Sequence, residues 1–115
     1  MPQERTHSVD VGELDWAPHP KFPGVHVKFA HGDMSAGAFT QMLVQVEPDG
    51  EILPHAHPDH DECFVILHGK GNALMEGAHH VVGPQTSVFA PKGREHGMVN
   101  VGDEPLLLLA NFIPA

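Results

Sequence analysis

Residues 54–69 read PHAHPDHDECFVILHG. Three histidines and three carboxylates fall within residues 54–62, after which the chain turns apolar and stops at a glycine. On extended chain, residues two apart point to the same side, so His55 and His57 face one way. Pro58-Asp59-His60 is able to turn the chain back. Glu62 opens an apolar run whose alternation puts Phe64 and Ile66 on its own side. His55, His57 and Glu62 then converge across a hairpin. Neutral imidazole with carboxylate suits a divalent first-row ion such as Fe, Mn, Ni, Cu or Zn, with a fourth ligand supplied from elsewhere.

A second stretch, PKGREHGMVN at residues 91–100, has the same character. Pro91 and Gly93 make a turn, His96 enters a strand, and Met98 and Asn100 share its face by alternation.

Outward from these two stretches the chain shows no long helical periodicity. Short apolar and β-branched runs recur, each bounded by Gly, Pro, Asp or Asn. They predict strands at Val25–Ala30, Ala38–Glu47, Glu62–Leu67, Asn72–Glu76, His79–Val82, Ser87–Ala90, Gly97–Val101 and Leu106–Phe112. Closely spaced strands with turn signals indicate an all-β sandwich or barrel. At 115 residues the chain is expected to be a single domain. Residues 1–24, rich in proline and polar groups, are expected to form an N-terminal arm around a barrel at 25–115.

Six Lys and Arg stand against fifteen Asp and Glu, a net charge of −9 with neutral histidines. That balance argues against nucleic acid and against an anionic membrane surface, both of which need clustered cations. No apolar run approaches the ~18 residues of a membrane span, and the first ten residues lack the order of a signal peptide. The single cysteine, Cys63, is compatible with a reducing compartment. A cytoplasmic protein is the expectation.

The two histidine stretches resemble the paired motifs of the cupin superfamily, in its small single-domain form. The first motif appears as His55-Ala56-His57, four residues, Glu62, six residues, Gly69. The second appears as Pro91-Lys92-Gly93, two residues, His96, three residues, Asn100. The leading glycines of the two motifs fall here at Asp49, beside Gly50, and at Gln85. Asp49 is a mild change, whereas Gln85 suggests an altered turn. The resemblance covers residues 38–112 and implies an all-β, jelly-roll-like double-stranded β-helix. It also implies one metal, iron or manganese first, held by His55, His57, Glu62 and His96, with positions left open for water, substrate or dioxygen.

Phe64, Ile66, Met98 and Asn100 are the expected pocket wall. His60 is expected either as a solvated turn residue or as an acid–base group at the pocket mouth. Asp59 and Asp61 are expected in solvent or behind a ligand histidine. His79-His80 belongs at the surface, and Cys63 reads as a small buried hydrophobe. Trp16 is expected against the barrel wall or a partner subunit. Gln41 and Gln45 share a strand face. Leu106–Leu109 is apolar throughout, like a strand buried on both sides, which predicts a homodimer.

The function expected is a metal-dependent, dioxygenase-like oxidoreductase acting on a small organic molecule. Its alternatives are a non-redox isomerase or lyase and a non-catalytic ligand-binding module. The few cations disfavour a phosphorylated sugar as substrate.

Overall fold

The computed structural model describes residues 8–35 and 37–114. Among the described residues ten strands run in chain order: β1 Ala17–Pro18, β2 Val25–His31, β3 Thr40–Val46, β4 Glu51–His55, β5 Asp61–His68, β6 Gly71–Met75, β7 Ala78–Val82, β8 Ser87–Ala90, β9 His96–Asn100 and β10 Leu106–Ile113. One 3₁₀ turn, Val11–Glu13, precedes them and is capped by the Asp10 carboxylate. No helix among the described residues is long and apolar enough to cross a membrane.

The strands form two antiparallel sheets, one ordered β1-β2-β3-β10-β5-β8 and the other β4-β9-β6-β7. Alternation along the strands builds the core between them. Leu106, Leu108, Ala110 and Phe112 of β10 point inward beside Met42, Val44 and Val46 of β3 and Phe64 and Ile66 of β5. Burying one such large side chain contributes about 1.5–3 kcal/mol, so this row carries much of the driving force for folding.

β4 was not among the expected strands. Its residues expose rather than alternate, its register shifts between Ile52 and His55, and it contains Pro54. Proline is tolerated there because β4 is an edge strand with no neighbour on one side. The expected hairpin between His57 and Glu62 is also corrected. β4 pairs with β9, and β5 pairs with β10 and β8, so residues 56–60 cross from one sheet to the other.

Within the single chain, Leu106–Leu109 is covered fully on its inner face alone. β10 lies inside the larger sheet, between β3 and β5, with Leu106 and Leu108 buried and Leu107 and Leu109 half-buried on the outer side. Cys63 is half-buried on that outer side too, its Sγ 3.8 Å from Ser87 Oγ, and so is no core residue. His79 and His80 are at the surface as expected. They are exposed positions of β7, and the turn falls at Glu76 and Gly77, both with positive φ.

Two turns explain the displaced glycines of the motifs. Gly50 packs directly on Gly24, where an added Cβ would lie 2.5 Å from the Gly24 carbonyl oxygen. The requirement for glycine is therefore met one residue after Asp49. At the second turn Gln85 itself adopts φ +70, a conformation that favours glycine, and donates its N–H to the Ile66 carbonyl at 2.8 Å.

Candidate metal centre

One end of the space between the sheets gathers the polar residues. His55 ends β4 and His96 starts β9, directly paired in register. Glu62 faces inward from β5 opposite Phe112. His57 lies on the crossing segment and is fixed by its backbone. The His57 carbonyl accepts the Gly93 N–H at 2.7 Å, and the Asp61 carboxylate accepts the Lys92 N–H at 2.8 Å. The Pro91-Lys92-Gly93 turn, with Gly93 at φ +78, is thus what locks the two histidine stretches together. Asp61 holds that turn and does not touch a ligand histidine.

One ring nitrogen from each of His55, His57 and His96 lies within 4.8 Å of the others, close enough to share one cation. Glu62 Oε1 sits 3.3 Å from His57 Nε2 and 3.0 Å from His96 Nε2. The backbone also selects tautomers. Nδ1 of His55 lies 2.8 Å from the Leu53 carbonyl and Nδ1 of His96 lies 3.2 Å from the Arg94 carbonyl. A carbonyl only accepts, so both rings carry their proton at Nδ1 and offer Nε2 to the centre.

For His96 this has a consequence that fits a metal. Its Nε2 faces a carboxylate oxygen while its Nδ1 faces a carbonyl, so both nitrogens meet acceptors. The ring must be doubly protonated, or a cation must stand where Nε2 and Glu62 converge. Without a metal, burial opposes the charged ring. The hydrogen bond and charge of Glu62, with the Arg94 carbonyl, outweigh that and raise the His96 pKa above 6.5. Burial likewise opposes the Glu62 carboxylate, but hydrogen bonds from His57 and His96 hold its pKa below 4.5. Burial lowers the pKa of His55 against the pull of its hydrogen bond to Leu53, which keeps the ring neutral and able to ligate.

A cavity of about 450 Å³ opens from this cluster towards residues 17–22. Phe64 and Met98 line it as expected, joined by Phe29, Met42 and Phe112. Ile66 and Asn100 do not. Ile66 is fully buried at the closed end of the barrel. Asn100 braces that end, donating to the Val46 and Glu104 carbonyls at 2.9 and 2.8 Å and accepting from the Gly102 N–H. His60 is not a mouth residue either. Its ring packs on His57 and Phe112 with centroids at 4.5 and 5.0 Å, and its Nε2 is buried without a partner. It braces a ligand from behind instead of facing the cavity.

Gln41 donates to Asn111 at 3.0 Å and lies off the cavity. Trp16 lies under the ammonium of the buried Lys28 at 4.4 Å, and that ammonium donates to the Leu14 carbonyl at 3.4 Å. The cavity wall also includes residues that sequence reasoning passed over. Strict alternation from Leu106 would have found Phe112. Nothing local marks His19 and Phe22, because only the pairing of β1 with β2 brings them over the mouth.

Residues 42–112 match the family model described as a cupin domain, most of the described barrel. The chain belongs to the cupin family. Among curated relatives, this cupin is 41% identical over 63 residues to a glucose-6-phosphate isomerase of Pyrococcus furiosus, a match covering 50% of this chain and 33% of the isomerase. The chain spans about half, or less, of the length of the curated relatives it matches. Its fold is similar to that of KdgF from Halomonas sp., with TM-score 0.81, 21% identity, and coverage of 97% and 96% of the two chains. It is also similar to the polyketide cyclase RemF from Streptomyces resistomycificus, with TM-score 0.77, 21% identity, and coverage of 99% and 81%.

Proposed function

We propose that this cupin is a metal-dependent oxygenase acting on a small, uncharged, largely apolar molecule. One observation carries the reading: an apolar cavity of about 450 Å³ ends on a cluster of three histidines and a glutamate and has no Lys or Arg among the described residues of its lining. His55, His57, Glu62 and His96 would hold the ion, and the carboxylate would offset part of its charge. A redox-active ion in such a mixed histidine–carboxylate set supplies the means to activate dioxygen or a substrate oxygen. Phe112 packs edge-on to His57 at 5.4 Å and Phe22 packs on His55 at 5.4 Å, which covers part of each ligand ring. Phe64, Met98 and Met42 give an apolar substrate its contact area.

A cavity with no Lys or Arg among its described lining residues, and with Asp33 among them, suits a phosphorylated sugar poorly. The isomerase relative therefore does not pass its substrate to this chain. A second reading, Lewis-acid isomerisation, cyclisation or elimination without redox, takes support from the same apolar cavity, which also suits an aromatic chain folded on itself.

The test is reconstitution of metal-free protein with Fe(II) or Zn and oxygen-uptake screening against small enols, diketones and phenols. The oxygenase reading expects uptake with iron and none with zinc, which has no redox chemistry. Full turnover of any substrate by the zinc form under nitrogen overturns it in favour of the second reading.

A further inference from the structure

Residues 17–22 lie over the mouth of the cavity, and of their side chains that line it His19 is polar. His19 Nδ1 accepts two backbone N–H groups, from Lys21 at 3.0 Å and from Phe22 at 3.3 Å. A ring nitrogen that accepts carries no proton, so the neutral imidazole holds its proton at Nε2. The turn that does this is itself pinned. The His19 N–H donates to the Val25 carbonyl at 2.8 Å, the Val25 N–H donates to the Phe22 carbonyl at 3.2 Å, and Pro18 pairs with His26. The His19 ring stacks on Phe22 at 4.7 Å, and the other neighbour of Phe22 is the His55 ring.

His19 is thus a rigid donor across Phe22 from the metal ligands. Outside the cluster of His55, His57, Glu62 and His96, the polar side chains lining the cavity among the described residues are His19 and Asp33. Asp33 is an acceptor already engaged by Ser35. Burial first and Lys21 second hold the His19 pKa below 6.5, so the ring is neutral near neutral pH.

We propose that the Nε2–H of His19 binds an oxygen of the cavity's occupant. The substrate is then an apolar, uncharged molecule with one oxygen at the metal end and a second acceptor, a carbonyl or hydroxyl, at the His19 end. His19 is a positioning residue that selects this acceptor. The inference rests on the cavity being the substrate site, as proposed above, and is independent of whether the chemistry is redox.

The test uses two probes of one shape, acetylnaphthalene and isopropenylnaphthalene, titrated calorimetrically into zinc-loaded protein. Wild type is expected to prefer the ketone about three- to tenfold, the worth of one neutral hydrogen bond. His19→Asn keeps an acceptor for the Lys21 and Phe22 N–H groups but lacks the distal donor. It is expected to bring the ratio close to one with hydrocarbon affinity unchanged. His19→Gln, which returns an N–H near the Nε2 position, is expected to restore part of the preference.

A preference that survives in His19→Asn assigns the oxygen to the metal end and overturns the proposal. An equal loss for both probes means the ring only supports the wall, and also overturns it. If wild type shows no preference, the donor is not used. If neither probe binds wild type, the apolar-cavity reading fails and this inference with it, whereas probe binding without oxygen uptake leaves this inference standing and removes the oxygenase.

Discussion

Nε2 of His96 and Oε1 of Glu62 meet at 3.0 Å, inside the barrel and nearly out of reach of solvent. In the metal-free protein this pair gives stability a defined pH window. The His96 pKa is raised, so its contribution is complete below the ordinary 6.5 and is lost as pH rises through the raised value. The Glu62 pKa is lowered, so its contribution is complete above the ordinary 4.5 and is lost as pH falls through the lowered value. The pair therefore stabilises fully between 4.5 and 6.5. The melting-temperature difference between wild type and His96→Gln in chelator should peak in that window. A difference that keeps growing above it would contradict the assignment.

Metal retention should depend on each ligand. His57→Ala or His96→Ala is expected to weaken binding by more than about a hundredfold, beyond the 10–100-fold typical of losing a partner behind a ligand. Elemental analysis of the purified variants checks this. Stoichiometric metal in His55→Ala/His57→Ala would place the site elsewhere.

Gln85 holds φ +70, where a side chain costs about 1–2 kcal/mol relative to glycine. Glycine also gains freedom in the unfolded chain, which takes back roughly 0.4–1 kcal/mol. Gln85→Gly is expected to stabilise by about 0.5–1 kcal/mol. Urea unfolding measures it, and a destabilised variant would mean the side chain contributes contacts that outweigh its backbone strain.

Gly50 is the opposite case. A Cβ there meets the Gly24 backbone at 2.5–3.2 Å, and backbone cannot rotate away. Gly50→Ala is expected to cost about 1–3 kcal/mol, as overpacking does. Unchanged denaturation midpoints would show that residues 24 and 50 separate freely.

Most of the strand pattern, the four residues of the candidate centre and the family were legible in the sequence. Ligand spacing is a local property, and alternation reports which side chains share a face. It placed Phe64 and Met98 on the face of Glu62 and His96, and that is where they are. It could not say how far along that face the cavity reaches, so Ile66 and Asn100 were assigned to a wall that ends before them. It also missed β4, because an edge strand with a proline and a shifted register has no periodicity to read.

What lies over the cavity mouth and what stands behind the ligands emerged only from strand pairing. His60 sits three residues from His57 in sequence, yet it turns behind that ring because the chain there is crossing between sheets. His19 and Phe22 lie more than thirty residues from His55, and only the pairing of β1 with β2 carries them over the site. Contacts between residues far apart in the chain depend on which strands pair. A two-residue strand such as β1 gains its place from its partner, not from its own residues.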